Sequence, residues 1–166
     1  MTTLHFTNAR LIDPEAGTDA LGSLTVKDGL ILARDEKAPK GAKVIDCGGK
    51  CLAPGIVDLG VKIGEPGERH RESFGSAGQA AAAGGVTTMI ARPDTSPAID
   101  TPETLEFVTR RASGAPVRIR HMAALTKARE GREMTEIGFL RDAGAIAFTD
   151  VFRVSTEAKA ITRAMA

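Results

Sequence analysis

The sequence predicts an α/β chain in two parts: a β-rich segment over residues 1–53, then about four βα units over residues 54–166. Two observations carry that reading. Through the first fifty residues, short apolar or alternating runs are broken by Gly, Asp and Pro, the mark of strands joined by turns. After Pro54 compact apolar runs alternate with longer helix-compatible stretches, and that alternation specifies parallel strands covered by helices.

The first part holds LHFTNARLID, SLTVKDG, LILARDE and AKVIDCGGKCLAPG, the strands of a small sheet or half-sandwich. Asp28-Gly29, between the apolar runs of TVKDGLIL, is a hairpin signal because it supplies the positive-φ turn. In the second part GIVDLGV predicts a strand, SFGSAGQAAAAGG a helix ended by Gly84-Gly85, and VTTMIA the next strand. DTPETLEFVTRRASG carries helix-boundary chemistry. Asp100 or Thr101 can cap, Pro102 and Glu103 suit the first turn, and Gly114 suits the exit. Arg110 and Arg111 complement the C-terminal dipole, and Leu105, Val108 and Ala112 make an inward stripe. Strand VRIRHMAAL, helix REMTEIGFLRDAG, strand AIAFTDV and helix STEAKAITRAMA complete the alternation.

Composition narrows the function. At 42% hydrophobic and 26% charged, the chain can bury a core and is not a disordered sequence. Basic and acidic residues number 22 and 21, so no positive excess drives binding to a phosphate backbone, and no nucleic-acid partner is expected. The N-terminus lacks the basic region and long apolar run of a secretory signal. AGQAAAAGGVTTMIA is too rich in Gly, Thr and Ala for a membrane span. A cytoplasmic protein is expected. Cys47 and Cys51 flank a Gly-Gly-Lys turn with no second pair to complete a zinc site, and are expected to be small core residues.

The sequence stops at Ala166 inside a helical pattern, and an open parallel sheet of four strands exposes unpaired edges. The expectation is the N-terminal part of something longer, or half of an assembly. A homo-oligomer or the remainder of a barrel would cover the edge.

The order of APGIVDLGV, EPG, AAAAGGVTTMIARPDTSPAID and AALTKAREGREMTEIGFLRDAGAIAFTD resembles the dihydroorotase family of the amidohydrolase superfamily, in register from about Asn8 to Ala166. The resemblance covers the first part of a family member. It implies that the βα units are the N-terminal part of a TIM (β/α)8 barrel, and that residues 1–53 belong to a composite β-sandwich built from both chain ends. The implied chemistry is reversible ring closure of carbamoyl aspartate to dihydroorotate in pyrimidine biosynthesis, with zinc as the Lewis acid.

Carried over by position, the family's motif Asp-x-His-x-His-x-Arg-Glu-Pro-Gly falls on Asp58 to Gly67. Gly60 and Lys62 stand where the resemblance implies histidine ligands to the metal. Gly64 stands where it implies the arginine that grips the substrate carboxylate. Asp94, within Arg92-Pro93-Asp94-Thr95, replaces a substrate-binding asparagine. A carboxylate ~4 Å from an anionic substrate costs about 4 kcal/mol at an effective dielectric of about 20. Asp150 keeps the position of the family's bridging metal carboxylate, and Val151 replaces its acidic neighbour. Further family histidines lie beyond Ala166. His5, His70 and His121 have no ligand spacing and are expected to be structural.

Lys62 has two possible fates in such a site. Carboxylation would make it a bridging ligand, but the histidines that would hold the metals are missing. The expectation is instead that its ammonium occupies the vacated metal position and pairs with Asp150. No cofactor is then expected in this chain, although the family uses zinc.

The leading expectation is a dihydroorotase-like protein without catalysis, a structural partner of aspartate transcarbamoylase as the resemblance implies. The alternatives are an active zinc-dependent dihydroorotase or cyclic amidohydrolase with an atypical site, and a free-standing α/β binding module.

Overall fold

The computed structural model describes residues 2–165 and divides the chain into two compact units, Met1–Pro54 and Gly55–Ala166. No helix among the described residues is long and apolar enough to cross a membrane.

The first unit is one mixed sheet built from β1 (Thr3–Asp13), β2 (Thr18–Lys27), β3 (Leu30–Arg34), β4 (Lys43–Asp46) and β5 (Cys51–Leu52). The order is β3-β2-β1-β4, with β5 also pairing β1. β1–β2 and β2–β3 are antiparallel, whereas β4 and β5 run parallel to β1. The hairpin forms at the expected place, with Asp28 at φ 51° and Gly29 at φ 81°, the left-handed pair that matches strand twist. His5 and Thr25 are cross-strand neighbours on the buried face, joined through Nδ1 and Oγ1 at 2.8 Å. The cysteines depart from expectation: Cys47 is half-buried and Cys51 exposed, both free. The reason is the turn between them. Gly48 and Gly49, both at positive φ, return the chain to β1, and Cys51 then opens a strand only two residues long.

The second unit starts with β6 (Ile56–Val61), α1 (Phe74–Ala83), β7 (Val86–Ala91), α2 (Pro102–Ala112) and β8 (Arg118–His121). Its three strands pair in parallel in the order β6-β7-β8. Both larger helices begin on side-chain caps. Ser73 and Ser76 form a reciprocal capping box at α1, and the Thr101 hydroxyl accepts from the Thr104 N–H at α2. The expected stripe of Leu105, Val108 and Ala112 is buried, in one core with Phe74, Ala77, Met89, Ala91, Ile99 and Leu140. Met89 and Ala91 therefore face the helices. By strand alternation Thr88 and Ile90 face the other way.

Beyond β8 the structure differs from the expected regular alternation. The AIAFTDV run forms no full strand, only one parallel bridge between Ala123 and Phe148. Backbone hydrogen bonds from Ile146 N–H to the His121 carbonyl, from Ala123 N–H to the Ala147 carbonyl and from Thr149 N–H to the Ala123 carbonyl hold the segment beside the chain that follows β8. Past it the Asp150 carboxylate is held by the 125–131 loop. The next helix, α3 (Ile137–Asp142), is shorter than REMTEIGFLRDAG suggests. Its first residues are occupied elsewhere: Met134 bridges Thr126, and the Thr135 hydroxyl donates to the Ala124 carbonyl. α4 (Ala158–Ala164) follows.

His121 ends β8 inside the apolar layer, 2% exposed, its ring edge-on to Phe74 at 5.7 Å and both ring nitrogens unpartnered. Burial, reinforced by the Arg120 charge, pushes its pKa down to about 4. The folded state therefore prefers neutral imidazole, and the unfolded chain binds the proton first. Stability is full above the ordinary histidine pKa of about 6.5 and falls as pH drops from there towards 4, by roughly 3 kcal/mol. Denaturation midpoints between pH 7 and 4 should show this slope, and His121→Leu should flatten it. An unchanged slope in that variant would remove His121 as the cause.

Candidate functional site

Parallel strands bring their C-terminal ends to one edge, where ligand-binding groups of β/α proteins collect. Lys62 follows β6, Arg92 and Asp94 follow β7, and Asp150 follows the bridged segment.

Gly60 sits in β6 at φ 84°, where the register against β7 shifts between Leu59 and Val61. A Cβ there meets only the Arg92 side chain at 3.9 Å, so space is open but the backbone suits glycine. Gly64 is closed instead. A Cβ would fall 2.5 Å from the Glu68 carbonyl oxygen, because the loop folds back and the Glu68 N–H donates to the Gly64 carbonyl at 2.6 Å.

The charges form a network. Lys62 Nζ lies 3.1 Å from Glu68 Oε2 and 3.8 Å from Asp94 Oδ2. Arg92 grips the same Asp94 two-handed, Nε to Oδ1 at 3.2 Å and Nη2 to Oδ2 at 3.0 Å. The Phe152 ring lies 4.9 Å from the Arg92 guanidinium carbon, a cation–π contact. Hydrogen bonding by Lys62, then the Arg71 charge, holds the Glu68 carboxyl below its usual range. The two loops also meet through their backbones: Ser96 N–H donates to the Pro66 carbonyl at 3.2 Å.

The expected Lys62–Asp150 pair does not form. Lys62 is engaged by Glu68 and Asp94, and the Asp150 carboxylate is turned onto a neighbouring loop. Its Oδ1 accepts from the Leu125 and Thr126 N–H groups at 3.1 and 3.0 Å, and Oδ2 from the Thr126 hydroxyl at 2.6 Å. The Thr126 hydroxyl oxygen accepts in turn from Gly131 N–H. Asp150 thus ties down the 125–131 loop, in which Ala128 and Arg129 both hold positive φ. Val151 beside it sits at φ 61°, a left-handed conformation that a β-branched residue tolerates poorly.

Glu65, singled out in the sequence only as part of a frame, is the best-held carboxylate near the site. Burial alone would raise its pKa. Two hydrogen bonds from Arg111 at 2.9 and 2.7 Å, one from the Phe74 N–H, and the charges of Arg111 and Arg69 outweigh burial and lower it. No sequence signal marks a pair 46 residues apart. Of the histidines, His70 is exposed, while His5 and His121 are buried in their sheets. Among the described residues, no three His, Cys, Asp or Glu side chains gather in metal-ligating geometry.

Parallel strands backed by helices, with charged groups at their C-terminal ends, define the class: a β/α protein of the kind that builds barrels. L-hydantoinase from Arthrobacter aurescens superposes with a TM-score of 0.75 at 28% identity, over 89% of this chain and 32% of that one. A dihydroorotase crystal structure gives 0.59 at 13% identity, a likeness of fold alone. The dihydro-orotase-like family model matches residues 49–166, and the chain belongs to that family. The dihydroorotase of Streptococcus pneumoniae is 38% identical over 144 residues, 86% of this chain and 34% of that protein. That of Anaplasma phagocytophilum is 40% identical over 156 residues, again 34% of its length. The chain therefore spans about a third of the curated relatives it matches.

Asp150→Ala should strand the Leu125 and Thr126 donors and lower stability by about 2–4 kcal/mol, measured by chemical denaturation. Val151→Asn, which suits positive φ, should raise stability by up to about 1 kcal/mol in the same assay. Equal effects of the two substitutions would contradict these separate roles.

Proposed function

We propose that this dihydroorotase-like protein of pyrimidine biosynthesis has a degraded metal site and no catalysis of its own, and that it serves as a structural partner of aspartate transcarbamoylase. The observation that carries the reading is Lys62, an ammonium already paired with Glu68 and Asp94 at the end of β6. The residues present do not fit a zinc ion held from this strand. Gly60 offers no ligand atom, Lys62 brings a positive charge, and both Asp150 oxygens accept hydrogen bonds from the 125–126 segment. Gly64 leaves no room for a side chain that would grip a substrate carboxylate.

The partner role rests on the family resemblance. Support from this chain is the apolar surface of β6, an edge strand on which Ile56, Val57 and Leu59 are exposed. The rest of a barrel, a second copy or the transcarbamoylase would each cover apolar surface of this kind. The alternative, an active zinc-dependent dihydroorotase or cyclic amidohydrolase with an atypical site, is favoured by relatives at 35–40% identity that bear the dihydroorotase name.

Metal analysis and a dihydroorotate turnover assay on the whole protein test the choice. The expected result is no turnover above background and no stoichiometric zinc; zinc at one or two equivalents with turnover overturns the proposal. Sedimentation with aspartate transcarbamoylase should show a complex, and independent boundaries would remove the partner role. Gly64→Ala should lower stability by about 1–3 kcal/mol, since its Cβ meets backbone rather than a movable side chain. A neutral effect on the denaturation midpoint would show that the loop yields.

A further inference from the structure

We infer that Lys62 and Arg92 form a small-carboxylate site whose occupant is the chain's own Asp94. Three features separate this from a surface ion pair. The Asp94 side chain is 9% exposed and Arg92 17%, so the pair is largely withdrawn from water. The grip is bidentate, with each Asp94 oxygen taken by a different Arg92 nitrogen, the geometry with which a guanidinium recognises a free carboxylate. A second cation, Lys62, reaches the same Oδ2 from a different strand.

The site is preorganised from outside the charges. β6 and β7 are hydrogen-bonded neighbours, and the Arg92 N–H donates to the Val61 carbonyl at 2.9 Å, which fixes the start of the loop that carries Asp94. Phe152 lies against the Arg92 guanidinium, 4.9 Å from its carbon. Glu68 balances Lys62 on its exposed side. Arg71 also pairs with Glu68, at 2.8 Å, so the charges of Lys62, Arg71, Arg92, Asp94 and Glu68 sum to plus one. Without the Asp94 carboxylate that excess would rise to plus two, with Lys62 and Arg92 converging on an unfilled position.

Asp94 therefore acts as a tethered ligand. It is the residue that excludes small carboxylate anions from this strand end, rather than a shortage of cations to hold them. The chain itself holds the Asp94 carboxylate beside both cations, so a free anion has to compete with an intramolecular ligand. The inference shares one premise with the proposed function, that Lys62 meets Asp94 and not a metal ion.

Chemical rescue in the whole protein tests it, with sodium acetate as the probe against sodium chloride at constant ionic strength. Asp94→Ala should lower Tm, and acetate should raise it again in a saturable way, by roughly a few degrees at ten times its Kd. Wild type should not respond, because the site is filled. Asp94→Ala/Arg92→Leu should lose the rescue, and Asp94→Ala/Lys62→Met should weaken it. Asp94→Ser also removes the carboxylate, leaves room for the probe, and serves where the alanine variant does not fold. It leaves two convergent cations without an anion and should gain an acetate response that wild type lacks. A flat response in both variants, or an equal response in wild type, overturns the inference. Zinc content of the wild-type protein is measured alongside. Zinc with turnover would sink the proposed function, while acetate rescue reports on Asp94 alone.

Discussion

The strand-end chemistry of this protein depends on the apolar layer that clamps α1 and α2 to one face of the parallel sheet. Phe74, Met89, Ala91, Leu105 and Val108 are buried together there. Fully burying side chains of this size contributes about 1.5–3 kcal/mol each relative to exposure. The parallel order brings Lys62 and Arg92, which follow β6 and β7, to the same end of the sheet. The same packing accounts for His121. It ends a strand on the helix face, so it is held neutral among apolar side chains.

Around that edge, carboxylates act as fasteners. Glu65 ties its loop to Arg111 of α2 and to the first N–H of α1. Asp150 ties the 125–131 loop, and Asp94 joins the ends of β6 and β7. In each case the negative charge meets convergent donors or cations from elsewhere in the chain. The carboxylate oxygens are directed at protein groups. Gly64 extends the pattern, because the loop has closed onto its missing side chain.

Legibility in the sequence followed the range of the interaction. The β2–β3 hairpin was readable because Asp28-Gly29 determines its own backbone. The α2 helix was readable because Thr101, Pro102 and its apolar stripe act within a few turns. The identities of Gly60, Lys62, Gly64 and Asp94 were equally plain once the Glu65-Pro66-Gly67 frame set the register. The irregularity of the fourth strand was not readable, since AIAFTDV has strand propensity and its reduction to one bridge depends on tertiary contacts. The cysteines misled for a related reason. Their character as small apolar residues says nothing about a turn that delivers Cys51 to a two-residue strand.

The sequence by itself determined the alternation of strands and helices, the family, and the absence of histidine at two strand-end positions, because these are properties of local pattern and residue identity. Tertiary structure decided the pairing of the charges. The sequence pointed to Asp150 as the partner of Lys62, whereas folding placed Glu68 and Asp94 within its reach. Loop geometry gave it Glu68 and Asp94 and turned Asp150 onto Thr126. The physical reason is distance: electrostatic pairing falls off over a few ångströms, and oppositely charged residues that pair here lie up to 46 positions apart in the chain.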